Sequence, residues 1–423
     1  MMKVFGFLSA FLLILNTIWA QSENPLLSRD YWKAQPSIEK VRADIEKGNS
    51  PSELDRYDFD AIAWAILENT NDEIIKYLLE QDGNDVNKLT HDGRTYIFWA
   101  AYKNRLELMK YLKANGARTD IIDSHGYSLV NFCAVTGQMN FDIYDFCIEY
   151  GSILTEEFNS NGANPLLLLS SFFENEQQLS YFTGKGLDLN SQDEDGNNAF
   201  VYAAKSGNMF MMNLLLDQHM DPHVNNDAAL FFAARGMRRK PNKLPVYEFL
   251  QSLGCDYKVL NEDNQNLLHI LSKTSKDTTL LHHLISNGVS LDQRDNEGLT
   301  PVSVAVDRNN FPALILYNKS KPNFEVVDQK GNNLIHKAVK HENAQLLDFI
   351  LSHGVDINAK NNDGLTPLHM VAMSGESINF LEKMLDKGAN VKFKTEFGES
   401  AYDLAIENEL MNSNLKHLKI LVP

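Results

Sequence analysis

The feature that most constrains this chain is a period. The stretch DGLTPLHMVAMSG, Asp363 to Gly375, holds a turn, a helix start and a helix stop within a few residues. Thr366 can cap a helix with its hydroxyl, and Pro367 suits the first helical turn, where no backbone donor is needed. Leu368 and small Ala372 read as inward positions, and Gly375 ends the helix. Ile378, Leu381, Met384 and Leu385 then follow at helical spacing, and Gly388 stops a second helix. The same grammar returns along the chain. The steps from Gly298 to Gly331 and from Gly331 to Gly364 are 33 residues each, and Gly364 to Gly398 is 34. Gly93 to Gly126 is again 33 and Gly162 to Gly196 is 34, while Asn264 takes the place of glycine in NQNLLHIL.

One turn and two short helices cannot bury a core alone; stacked copies can, each covering the apolar face of the next. A period near 33 with this content resembles the ankyrin repeat. The fullest match is TPLH, Thr366 to His369. Fragments stand at Thr300-Pro301, Asn266 to His269 and Asn333 to His336. The resemblance covers nearly all of the chain beyond its first twenty residues. It implies an all-α ankyrin-repeat solenoid of about twelve helix-turn-helix units with β-hairpin or turn tips. On this reading residues 21–57 form an N-terminal capping repeat, 58–396 the array and 397–423 a C-terminal cap.

The first twenty residues read differently. Lys3 gives a short positive region, Val4 to Leu15 an apolar run, and Ala20 a small residue placed for cleavage before Gln21. This is the pattern of a secretory signal peptide, too short in its apolar run for a bilayer span. The expectation is an exported, bacterial-type member of the family, periplasmic or secreted, with no stable membrane insertion of the mature chain. With 56 acidic against 39 basic residues the net charge is −17. Such a surface repels phosphate backbones, so nucleic acid is not an expected partner.

Catalytic and metal signatures are sparse. No GxxxxGK[ST], GxSxG or HExxH occurs, and neither cofactor nor metal is expected. Asp193-Glu194-Asp195-Gly196 lacks the closing glutamate of a calcium loop and reads as a turn tip. Cys133, Cys147 and Cys255 occupy small or inward positions and read as buried thiols. No histidine is placed by sequence beside any of them. The resemblance implies that His269, His336 and His369, which share one repeat position, tie adjacent turns together through the backbone.

Binding is therefore sought on surfaces. In the first helix of successive units the residue before the alanine pair is Trp64, Trp99, Phe132, Leu168, Tyr202 and Phe232. The column then turns aliphatic or polar at Ile270, Val304, Lys337, Met370 and Leu404. The resemblance places this helix on a concave face, so the aromatic residues could floor a groove or wedge between helices as core. Tyr102 and Lys103 would be their exposed companions. A second feature is Arg235 to Lys243, with five basic residues and no acid, against nine acidic and two basic residues in 161–234. The stretch reads either as a plain solvated insertion between two helices or as a docking surface, with Arg238, Arg239 and Lys240 its candidates for contact. From the way ankyrin proteins bind, the tips add His91, Arg94, Ser124, His125, Tyr127, Glu194, Asp195 and Asn197. The expected function is non-catalytic binding of a protein partner of unknown identity. Two alternatives stand beside it: an accessory protein that stabilises or inhibits an exported enzyme, and an enzyme with an unrecognised site in the groove.

Overall fold

The computed structural model describes residues 24–411 and 415–423, so the expected signal peptide lies outside the described residues. Among these residues 24 α-helices follow one another in pairs, with no strand and only isolated β-bridges. The chain falls into two compact units, Met1–Leu129 and Val130–Pro423. The first holds three helix pairs and the second nine. No described helix is long and apolar enough to cross a membrane.

The first helix of a pair is short and apolar on nearly every side, as in Ala61–Leu67 (AIAWAIL) and Tyr96–Tyr102 (YIFWAAY). Such a segment is stable only when covered all round. It packs on the first helices of adjacent pairs and on its own second helix. Second helices are amphipathic, as in Asp72–Leu79, where Ile74, Ile75 and Leu78 are buried and the acids stay outside.

Local chemistry starts most of the first helices. The side chains of Asp60, Asn198, Asn266, Thr300, Asn333, Thr366 and Ser400 accept backbone N–H groups of the first turn. Each such cap contributes on the order of 1 kcal/mol. Five residues before the cap, a second polar side chain shapes the turn. Asp193 Oδ1 accepts the N–H groups of Asp195 (3.1 Å) and Asn197 (2.8 Å). Asn261, Asp295, Asp328 and Asn361 repeat this pattern, so it is the acidic or amide oxygen that folds the tip.

Adjacent tips are bonded through the backbone. In the first unit the Ser124 N–H donates to Asp92 O (2.8 Å). In the second, Glu194 donates to Asn161 O, Asn296 to Asp263 O, Gln329 to Glu297 O and Asn362 to Lys330 O. The three repeat histidines add a second tie. In His269, Nδ1 accepts the Asn266 N–H (3.1 Å), which leaves Nε2 to donate to Leu299 O at 3.0 Å. His336 reaches Leu365 O and His369 reaches Phe393 O, each at 3.1 Å. Burial holds all three imidazoles below their usual pKa, in the neutral form this bonding needs.

Candidate functional site

One helix pair in the second unit breaks the pattern. Between the helices Glu176–Gly184 and Ala199–Ser206 the chain forms the regular tip at Asp193. Between Met209–Asp217 and the right-handed helical run that starts at Ala228, no such tip exists. In its place Asn225, Asn226 and Asp227 are all left-handed, with φ of 50°, 54° and 55°. Each such residue costs roughly 1–2 kcal/mol, least for Asn and Asp. The turn persists because side chains hold it. Asn225 Nδ2 donates to Asn197 Oδ1 (3.0 Å), and Asn226 Nδ2 donates to Leu260 O (3.1 Å). The Asp227 carboxylate accepts the Asp256 N–H (2.8 Å) and faces His223 Nδ1 at 2.7 Å.

The missing tip leaves a notch of about 350 Å³. Phe231 and half-buried Phe232 line it, with Asp195 on one side, Glu262 and Asp263 on the other, and Arg235 at its end. Arg235 also borders a second pocket of about 330 Å³, lined by Ala234, Ile270, Thr274, Arg239, Lys273 and Arg308. The basic stretch that follows Arg235 is a solvent-exposed insertion with an ordered backbone. Met237 and Lys240 pair as a β-bridge across a two-residue turn in which Arg238 and Arg239 have φ of 50° and 61°. Gly236 is required there, since a Cβ would stand 1.8 Å from Lys240 O. Asn242 then fastens the hairpin, its amide donating to Ala204 O, Lys205 O and Ala233 O. Pro245 lies in the first turn of the following helix, Leu244–Ser252.

The aromatic column departs from a groove floor. Trp99, Phe132 and Tyr202 are buried. A first helix so enclosed has little face left for a partner, and these rings turn towards their own tips. Trp64 Nε1 donates to Asp55 Oδ2 (3.1 Å), Trp99 Nε1 to Thr90 Oγ1 (2.8 Å) and the Tyr202 hydroxyl to Asp193 Oδ2 (2.8 Å). Of the aromatics in the column, only Trp64 and Phe232 keep a partly open surface. Tyr102 is exposed, whereas Lys103, expected to be exposed beside it, is half-buried.

Two tip candidates are likewise structural. Arg94 is buried, with its guanidinium 2.8 Å from Asp123 Oδ2 and 3.0 Å from Asp92 Oδ2. Asn197 is buried with its amide on the Asp193 carboxylate. Both close tips rather than present them. His91 stacks on Phe59 at 4.5 Å and its Nδ1 lies 2.8 Å from Tyr57 O. Ser124, His125, Glu194, Asp195, Arg238, Arg239 and Lys240 are exposed and Tyr127 is half-buried. Of all these, only Asp195, Asn197, Phe232 and Arg239 line the notch or the adjoining basic pocket.

The thiols are free and buried. Burial pushes Cys133 well above the usual thiol range and Cys147 up to about 12, which makes both poor nucleophiles. Cys255, however, does have a histidine nearby, contrary to the sequence reading. Its sulfur and donor atoms of His223 and Asp227 lie within 4.8 Å of one another. The types suit a zinc-like ion, but two ligands on one tetrahedral ion stand well over 3 Å apart. His223 Nδ1 and Asp227 Oδ1 are at hydrogen-bond distance, so the group acts as a clamp on the left-handed turn. The Asp227 bond raises the His223 pKa.

The fold defines a repeat protein of stacked helix pairs. The profile described as ankyrin repeats in three copies matches residues 38–123, 62–156 and 166–261, and one described as ankyrin repeats in many copies matches 335–385. The chain belongs to the ankyrin-repeat family, whose members generally serve as protein-interaction scaffolds. It is 24% identical over 398 residues to an ankyrin repeat protein of Acanthamoeba polyphaga mimivirus, covering 84% of this chain and 46% of that protein. It is 22% identical to the human transient receptor potential cation channel subfamily A member 1, over 76% of this chain and 29% of the channel. Mouse Rabankyrin-5 is 28% identical over 36% of this chain and 13% of its own length. The chain spans less than half the length of each of these three relatives. They are viral and animal, and the bacterial-type expectation gains nothing from them.

Proposed function

We propose that this chain is a non-catalytic binding array whose protein partner docks on the irregular helix pair of the second unit, around Phe232, Arg235 and the hairpin Gly236–Pro241. The observation that carries the reading is the left-handed turn at Asn225–Asp227. Three strained residues are kept where a regular tip would have been simpler, and their effect is to open a notch with an aromatic floor. Backbone strain held in place by surrounding bonds is characteristic of sites that serve recognition. Because the turn and hairpin are fixed by side-chain hydrogen bonds, little ordering is needed on association. The exposed candidates Glu194 and Asp195 extend this surface within the same unit, and Tyr102 and His125 belong to the first. Export is part of the proposal and rests on the pattern of Lys3, Val4 to Leu15 and Ala20.

The test is photo-cross-linking with the full chain in the extracytoplasmic fluid of its source. A reactive group at Phe232 should label a discrete protein, and one at exposed Phe210 on a second helix should not. Equal labelling at both sites, or turnover of a small molecule abolished by Phe232→Ala, would overturn the reading.

A further inference from the structure

The pocket beside the notch gathers Arg235, Arg239, Lys273 and Arg308 around a floor of Ala234 and Ile270. In a chain of net charge −17 this is a local reversal of sign. Among the described residues no carboxylate lies within 4.0 Å of Arg235, Arg239 or Lys273, and Arg308 has only its neighbour Asp307 at 3.6 Å. Elsewhere the cations are commonly matched, as with Lys337 on Asp328 and Lys383 and Lys387 on Asp348.

Part of the clustering has a simple cause. Arg235 and Lys273 lie at the C-terminal ends of first helices, where the helix dipole favours positive charge. That cause does not reach Arg239, which no helix carries. It is brought to the pocket by the hairpin after Arg235, whose geometry demands Gly236 and whose end is fastened by Asn242 to three carbonyls. The hairpin therefore adds a guanidinium to a group of like charges and holds it there. Burial and the Arg235 charge also lower the pKa of the neighbouring Lys205, a sign that the repulsion is felt.

We infer that this pocket receives an anionic side chain, carboxylate or phosphate, from an extended peptide segment of the partner, with the neighbouring residue of that segment on Phe232. The inference rests on the proposed function and names the chemistry of its partner. Size and setting favour a peptide over a polyanion. The pocket of about 330 Å³ admits one or two side chains, and Asp195, Glu262 and Asp263 across Arg235 would repel a continuous run of phosphates. Guanidinium groups bind both carboxylate and phosphate as paired acceptors, so either anion fits.

The experiment is a fluorescence-anisotropy titration of the full chain at low ionic strength. The probes are three labelled peptides of one length, rich in glutamate, phosphoserine or glutamine, together with a single-stranded oligonucleotide and phosphatidylserine vesicles. The two anionic peptides should bind and the glutamine peptide should not, and the tighter of the two identifies the anion. Arg239→Glu, at an exposed turn residue, should weaken binding at least about tenfold. Lys319→Glu, also exposed but outside the pocket, should change it less than about twofold. Equal binding of the glutamine peptide, an unchanged affinity in Arg239→Glu, or tighter binding of oligonucleotide or vesicles would overturn the inference. A partner that still cross-links at Phe232 in Arg239→Glu would overturn the inference alone and leave the proposed function standing. Loss of cross-linking in the unaltered chain would strike the function itself.

Discussion

Asn225 donates its side-chain amide to the side-chain oxygen Oδ1 of Asn197 at 3.0 Å, joining a left-handed turn to the tip of the preceding helix pair. Asn197 is held in turn by Asp193, and Asn226 reaches forward to Leu260. The gap between two regular tips is thus spanned by side chains instead of by backbone. Asn225→Ala removes the bond and leaves a non-glycine residue at φ 50°. It should cost about 1–3 kcal/mol in a urea titration. Asn225→Gly loses the same bond but relieves the conformation, so it should cost less. Equal costs would show that the turn stores no strain.

Gly236 marks a second backbone demand. A methyl group there meets Lys240 O at 1.8 Å, and Pro241 behind it leaves little room to shift. Gly236→Ala should open the hairpin while the helices on either side persist. The expected reading is faster amide exchange confined to residues 236–243, with a loss of global stability of about 1 kcal/mol. Unchanged exchange there would show that the hairpin tolerates a Cβ.

Acid should loosen the array through its repeat histidines. Burial depresses His269, His336 and His369, so below about pH 6.5 the unfolded chain binds protons that the folded chain does not. Their contribution is full above that value and declines as pH falls. His223 runs the other way. Its hydrogen bond to Asp227 raises its folded pKa, so its contribution is present at low pH and lost as pH rises through the folded value. With three groups against one, the urea midpoint should be lower near pH 5 than near pH 7. His336→Gln should reduce that difference, and His223→Gln should enlarge it.

Much of this was legible in one dimension. The turns, caps and helix pairs follow from a 33-residue period because each unit repeats the same local chemistry. The irregular pair also left a trace: Gly196 and Asn264 stand 68 residues apart, two periods with no glycine turn between them. Asn225-Asn226-Asp227 supplies residues that accept left-handed geometry, but without a glycine the run does not announce a turn. Cys255 and His223 lie 32 residues apart, close to one period, the spacing at which stacked repeats bring side chains together, and that rule would have disclosed the clamp. The aromatic column was ambiguous for a physical reason. A helix apolar on every side gives no periodic signal of which face is covered.

Position within the unit, more than aromatic character, explains that column. Trp64, Trp99, Tyr202 and Lys337 each bond a side chain nine residues earlier, respectively Asp55, Thr90, Asp193 and Asp328. An indole, a phenol and an ammonium thus perform one task, donating from the first helix to the residue that shapes its tip. Tyr202→Phe keeps the ring and deletes the donor, so it should cost about 1 kcal/mol. Trp99→Ala removes the bond and a buried indole together and should cost about 3–5 kcal/mol. Denaturant titration measures both. Cross-linking at Phe232 should survive Tyr202→Phe, because that hydroxyl is committed to Asp193. Loss of cross-linking with stability retained would return Tyr202 to the binding surface.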